Sequence, residues 1–435
     1  MLTWLLLAFI ALRLGLALWL SRRQIAAVLA HRGTVPAAFA DKVTLAAHQK
    51  AADYTVVNQR FGFTRAIIDC AVLVALTLAG GLNLLSAAVA QLAEPYAPSA
   101  TLGSVLHGVL LFAAIGLITT LIELPLDAWQ TFRIEARFGF NRTTPGVFVG
   151  DLLKGLVVGA ALLLPIAALI IWLMQTAGSL WWLWAWMALI AFQFTVMLIY
   201  PTFIAPLFNK FTPLSDATLK ERIDALLARC GFSSNGVFVM DGSKRSAHGN
   251  AYFTGLAKNK RIVFFDTLLE KLDPLQIEAV LAHELGHFKH KHITKRLISS
   301  SLIMLGGLAL LGYLAEQSWF YEQLGVAPIL NGSNAALALI LFMFVLPVFT
   351  YVLSPVGAWF SRKHEFEADA FAVQTSGAEP LKTALVKLFE DNAATLTPDP
   401  IYAAFYYSHP PAPVRIAHIE AQAEKHPTPL QGAPA

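Results

Sequence analysis

The chain has 435 residues, of which 56% are hydrophobic and only 14% charged, against about 25% charged in an ordinary soluble domain. This composition excludes a soluble globular protein and indicates one embedded in a bilayer. The net charge of +4 suggests no nucleic-acid partner, and the only two cysteines, Cys70 and Cys230, imply neither a disulfide framework nor a cysteine metal site.

Apolar runs of about 18 residues or more mark membrane-spanning helices. Seven are predicted, at residues 2–20, 66–91, 104–126, 152–174, 180–207, 297–315 and 335–358. The first reads as a span and not as a signal peptide, because Arg13 interrupts it and no small-residue cleavage pattern follows. Lys and Arg concentrate in cytoplasmic loops. Of the 32 in this chain, all except Arg13 and Lys154 lie in residues 21–65, 127–151, 208–296 or after 358. The other three loops have none, so the amino terminus is expected outside and the carboxyl terminus in the cytosol.

Within the spans, Pro125, Pro165, Pro201, Pro206, Pro347 and Pro355 predict kinked helices, while Gly306 and Gly307 predict a close helix approach. Asp69 and Glu123 read as snorkelling ends. Asn83, His107 and Gln193 either make interhelical hydrogen bonds or line a water-filled interior.

Between the fifth and sixth spans, residues 216–230 have helical periodicity, an acidic cap and a stop at Gly231. Val237–Met240 and Arg261–Phe265 are short β-type runs with Asp241, Gly242 and Gly255 as turn residues between them. Asp273 then opens a further helix containing Glu278. The expected division is 1–207, spans one to five; 208–296, a small cytosolic domain; 297–358, spans six and seven; and 359–435, a cytosolic segment whose end, from His426, is an untethered tail.

The helix opened by Asp273 runs into His283-Glu284-Leu285-Gly286-His287. Two histidines four apart share one helical face and can present ring nitrogens to one zinc ion, with the intervening glutamate beside the open coordination position. That pattern predicts metal-assisted hydrolysis with Glu284 as general base. On the pentapeptide alone, a solvated helix rich in His and Lys is the alternative.

A catalytic zinc needs a third protein ligand. His290 lies about 10 Å further along a continuous helix than His283, and no glycine turn brings it back; it and His292 read as histidines near the membrane surface. After the seventh span, Glu365 and Asp369 fall four apart on one helical face while Glu367 points elsewhere. Glu365 would complete the site, with Asp369 bonding the outer nitrogen of a ligand histidine. An ordinary acidic surface helix fits the same spacing.

These stretches resemble the integral-membrane zinc metalloproteases known as type I CAAX prenyl endopeptidases. The matching segments are His283–His287, Ser361–Ala372, Asp241–Gly255, Arg261–Leu269, Pro201–Leu214 and Phe132–Asn141, running from the third span to near the carboxyl end. The resemblance implies His283, His287 and Glu365 as ligands of one Zn2+ and Glu284 as the base. It also implies a mainly α, polytopic fold with seven transmembrane helices enclosing a chamber and a small α+β protease domain closing its cytosolic end.

In such proteases a substrate commonly adds as a strand to an exposed sheet edge. The segment around His248, Asn250 and Ala251 is similar to that edge, with Asn250 placed to hold a substrate carbonyl; Gly249-Asn250 also reads as a turn pair. His409 and Arg415 lie in a segment similar to one that approaches the metal. A donor there would stabilise an oxyanion, and Arg415 would otherwise pair with an acidic helix or a substrate carboxylate.

The resemblance thus implies an endopeptidase acting on peptide or protein substrates near a membrane-associated, prenylated or unprenylated, carboxyl terminus, in contact with membrane lipid. A quality-control protease and a lipid-handling protein with structural zinc are the alternatives, and the presence of Glu284 argues against the latter. The sequence closes Gly-Ala-Pro-Ala without a Lys-Asp-Glu-Leu signal and its outer loops are short, so a bacterial inner membrane is expected over an endoplasmic reticulum. Asn331-Gly332-Ser333 is a glycosylation acceptor pattern on the expected outer side.

Overall fold

A computed structural model describes residues 1–96, 99–254, 261–329 and 332–425. The turn residue Gly255, the acceptor Asn331 and the tail from His426 lie outside the described residues. The first half is helical: α1 (Leu2–Ala30), α2 (Leu45–Leu76), α3 (Gly81–Ala93), α4 (Ala100–Trp129), α5 (Pro145–Thr176), α6 (Trp181–Ile199) and the short α7 (Ala205–Phe208). Among the described residues six helices are long and apolar enough to cross a membrane, or seven with α2 and α3 taken as one span.

That second span is where the structure departs from a simple run. α2 and α3 meet at a bend of 59°. Gly80 there has φ +80, and a Cβ on Gly81 would stand 2.5 Å from the carbonyl oxygen of Ala75, so the turn needs both glycines. Pro125, Pro165 and Pro347 lie inside α4, α5 and a later span as expected. Residues Gln130–Glu135 continue α4 as a π-helix, as do Tyr200–Ile204 between α6 and α7.

The second half holds a four-stranded sheet of β1 (Phe211–Pro213), β2 (Val237–Met240), β3 (Ala251–Thr254) and β4 (Arg261–Phe265), ordered β1-β2-β4-β3. β2 and β4 are parallel and the outer pairs antiparallel, which leaves β3 as an edge. The helices here are α8 (Ala217–Cys230), α9 (Asp266–Leu269), α10 (Pro274–Lys289), α11 (His292–Leu314), α12 (Ser318–Glu322), α13 (Ala335–Thr350), α14 (Ser354–Ser376), α15 (Ala378–Asp391), α16 (Pro400–Tyr406) and α17 (Ala412–Lys425). α8 begins where Asp216 accepts from the Leu219 amide at 2.9 Å and stops at left-handed Gly231, as its sequence predicts.

The membrane helices form a closed circuit, each touching the next from α1 through α2, α3, α4, α5, α6, α11 and α13 back to α1. Little of each helix is covered. In five of the six spans at most 17% of the apolar window is buried, and in the span containing α6 none is. Helices of an open ring show this, whereas those of a filled bundle bury a continuous stripe. The ring narrows at the end away from the sheet, where α13 packs on α4 and α5: a Cβ on Gly108 would lie 2.6 Å from Ile171 Cδ1 and 2.8 Å from Ala336 Cβ. The close approach is therefore here and not at Gly306 and Gly307, whose added Cβ atoms would meet nothing within 4 Å and only Phe342 at 3.9 Å, respectively. Asn83 and His107 are satisfied by bonds between elements, Asn83 with Gly325 and Ala327, His107 with Ser86.

One apolar core holds the soluble part together. Ile223, Leu226, Ile262, Phe264, Ile277 and Leu285 pack with Ala372, Leu381, Leu385, Ile416 and Ile419 from beyond the last span, and with Phe39 from the α1–α2 loop. Burying each large side chain contributes about 1.5–3 kcal/mol. The sheet and the carboxyl-terminal helices are thus one folded body, assembled from both sides of α11 and α13.

Candidate metal centre

α10 is held at both ends of its buried stretch. Asp273 accepts from Gln276 N at 3.0 Å while the Gln276 side chain accepts from Asp273 N at 3.2 Å, a reciprocal cap. Glu278 is gripped by Arg222 at 2.7 Å and Arg229 at 2.6 Å, which docks α8 on α10. Gly286, on the face turned to α14, permits backbone contact: a Cβ there would stand 2.8 Å from Ala368 Cα and 3.0 Å from its carbonyl oxygen. This approach brings Glu365, three residues before Ala368 on α14, to the two histidines.

The three side chains converge. His283 Nε2 and His287 Nε2 are 3.3 Å apart, Glu365 Oε2 is 3.4 Å from His283 Nε2, and Glu365 Oε1 is 3.4 Å from His287 Nε2. Glu365 is 4% exposed, and its Oε2 is buried without a hydrogen bond. Two imidazole nitrogens and a buried carboxylate oxygen with an unused lone pair suit a metal ion, and these three are the described residues that group so.

Each histidine is fixed from behind. His283 Nδ1 lies 2.9 Å from Asp369 Oδ1, and Asp369, fully buried, accepts two bonds from Arg415, at 2.7 and 2.8 Å. Arg415 Nη2 also lies 3.6 Å from Glu365 Oε2. Burial and then Arg415 oppose a proton on His283, but Asp369 and Glu365 outweigh them and raise its pKa to about 9. Behind His287 stands His292, with Nδ1 to Nδ1 3.0 Å, and His292 Nε2 lies 2.8 Å from Glu367 Oε2. His292 is 4% exposed, not a surface histidine, and Glu367 points at it.

Beside these three residues is a cleft of ≈ 170 Å³ whose lining includes Gly249, Asn250, Ala251, Glu284, Asn392 and His409. Glu284 borders it, and burial foremost raises its carboxyl above the ordinary value, against the pull of His283 and His287. Ala251 begins β3, an edge of the described sheet, so the start of that edge lies at the cleft. Asn250 is exposed, its Oδ1 accepting from the Ala251 amide at 2.8 Å. His409 Nε2 stands 3.4 Å from Glu365 Oε1 with the side chain 62% exposed. His248 is turned another way: it bonds Asn392 at 2.9 Å, lies 3.7 Å from Glu135 and stacks on Phe140. It ties the loop before β3 to the end of α4.

Gly286, His292 and Glu367 are the residues that spacing missed. The glycine in the pentapeptide was a usable signal, since an inward glycine on a helix marks a close neighbour. For His292 the absence of a glycine turn misled, because Lys291, with φ 56 and ψ 33, makes the left-handed turn itself.

A ring of membrane helices carrying a His-Glu-x-x-His and a buried carboxylate as third donor defines an integral-membrane metallopeptidase. Residues 24–210 match the family described as CAAX prenyl protease N-terminal, five membrane helices, and residues 213–423 match peptidase family M48. The CAAX prenyl protease 1 homolog of Arabidopsis thaliana is 38% identical over 327 residues, 74% of this chain and 75% of that one. CAAX prenyl protease 1 of Saccharomyces cerevisiae is 36% identical over 322 residues, 71% of each. The crystal structure of S. mikatae Ste24p matches with a TM-score of 0.85 at 29% identity, over 96% of this chain and 98% of that one. The chain belongs to the CAAX prenyl protease 1 family, type I, within the M48 peptidases.

Proposed function

We propose that this metalloendopeptidase uses one Zn2+ held by His283, His287 and Glu365 to cleave peptide bonds near the carboxyl terminus of prenylated, membrane-associated proteins. One observation carries the reading. His283 Nε2 and His287 Nε2 stand 3.3 Å apart and each lies 3.4 Å from one oxygen of the Glu365 carboxylate, Oε2 and Oε1 respectively, close to the edge of about 3.4 Å of a tetrahedron with bonds about 2.1 Å long. Three protein donors would leave a fourth coordination position for water or substrate, as catalytic and not structural zinc requires.

Zinc bound there supplies Lewis acidity, acidifying water and polarising a carbonyl. Glu284 takes the proton of the attacking water, and its raised pKa lets it pass that proton to the leaving amine. The substrate lies along β3 from Ala251 as an added strand, with Asn250 directing its carbonyl. His409 donates to the oxyanion, while Asp369 and Arg415 hold His283 in place and His248 anchors the strand from behind. Residues 208–296 and 359–435 act as the catalytic unit, and 1–207 and 297–358 as its membrane frame in contact with lipid.

The Lys and Arg distribution supports a cytosolic active site with the amino terminus outside. Short outer loops support a bacterial inner membrane, whereas the eukaryotic sources of the relatives weigh toward the endoplasmic reticulum. Membrane fractionation of the native source decides between the two.

Purified chain assayed on one peptide with and without a prenyl group tests the substrate, and metal analysis tests the ion. We expect one zinc per chain, lost in Glu365→Ala, and faster cleavage of the prenylated peptide. Equal cleavage of the two would sink the prenyl reading and favour a quality-control protease. Full activity in the presence of a strong chelator would sink the zinc mechanism.

A further inference from the structure

Resting on the reading of His287 as a metal ligand, we propose that His292 and Glu367 form a positioning relay that orients the His287 ring and tightens the metal site. His292 Nδ1 faces His287 Nδ1 at 3.0 Å and His292 Nε2 faces Glu367 Oε2 at 2.8 Å. The carboxylate oxygen of Glu367 can only accept, so His292 Nε2 carries the hydrogen and its Nδ1 presents a lone pair. That lone pair accepts from His287 Nδ1–H, which leaves His287 Nε2 free toward the metal. One tautomer of each ring satisfies every contact in the chain.

The two metal-facing histidines are therefore fixed alike in chemistry and unlike in construction. His283 meets its carboxylate, Asp369, directly at 2.9 Å. His287 meets one through a second imidazole. A further ring holds that imidazole in plane: His364 stacks on His292 with centroids 3.9 Å apart and planes 14° from parallel.

The backbone is bent to make this contact. On a continuous helix, residues five apart point about 140° away from each other at 3.6 residues per turn, so His292 would face away from His287. Lys291 at φ 56 separates α10 from α11 and turns His292 back. A non-glycine residue adopts that conformation at a steric penalty, and of the described residues only Lys291 and Ala393 do so. The strain sits one residue from the relay, where it has a purpose.

The test is zinc affinity of the full chain in detergent, measured by competition with a chromophoric chelator, with melting of the metal-free form as control. His292→Ala and Glu367→Ala are each expected to weaken zinc binding by about 10- to 100-fold without lowering the metal-free melting temperature. Glu367→Gln, whose amide oxygen still accepts from His292, is expected to restore near-parent affinity. The double variant should be no worse than the poorer single one, because both remove the same chain of bonds. Lys291→Gly should keep the affinity and Lys291→Val should lose it. If His292→Ala folds poorly, Glu367→Ala, at a side chain 31% exposed, gives the same readout. Unchanged affinity in the His292 and Glu367 variants while His287→Ala loses zinc would overturn the relay alone. Retention of zinc by His287→Ala would overturn the site reading instead.

Discussion

Gly286 lies against Ala368 so closely that a Cβ on it would stand 2.8 Å from the Ala368 Cα. The neighbour is backbone at a buried position of α14, not the end of a flexible side chain that could move aside. Gly286→Ala should therefore push α14 from α10, costing about 1–3 kcal/mol in overpacking, and displace Glu365 from the histidines. Thermal unfolding together with zinc content checks this; a variant with parent melting temperature and full zinc content would show that α14 reaches the site without that contact.

Glu284→Gln keeps the shape of the side chain and removes the proposed base. Peptidase activity should fall about 10²- to 10⁴-fold while zinc content stays that of the parent. Loss of zinc in this variant would instead make Glu284 a ligand.

Two pH dependences follow from burial and from charge. The Glu284 carboxyl is raised, first by burial, and must be ionised to act, so activity should fall as pH drops through a value above the ordinary carboxylate range. His283 is raised to about 9 without metal, against about 6.5 when unfolded. Its protonation stabilises the metal-free fold fully below pH about 6.5, and that contribution is lost as pH rises through 9. Zinc must displace this proton, so apparent affinity should climb with pH until about 9 and then level. Chelator competition across that range checks the sign, and an affinity independent of pH would contradict a protonated His283.

Arg415 and His409 should separate by the kind of damage they cause. Arg415, 6% exposed, pairs with fully buried Asp369, and removing one partner of a buried pair costs about 3–5 kcal/mol. Arg415→Ala is expected to unfold at markedly lower temperature. His409 is largely exposed at the cleft, so His409→Ala should keep its melting temperature and zinc while kcat falls about 10²- to 10³-fold. An unaffected kcat would remove His409 from the oxyanion site.

The spans, the His-Glu-x-x-His pentapeptide and the two central strands were legible in the sequence, because each depends on contacts between residues close in the chain. Apolar runs must be long enough to cross a bilayer, and His283 and His287 share a face by helical geometry alone. Glu365 was visible as a candidate only, since spacing equally allowed a surface helix until α14 was seen against Gly286. The break between α2 and α3, the edge position of β3, and the turn at Lys291 were decided by tertiary structure. So were the burial of His292 and the rear placement of His248. The reason is physical: local pattern sets which face of an element is apolar or can bind a metal, but which distant residue occupies the space opposite is set by packing. Here that packing joins segments from both sides of two membrane helices.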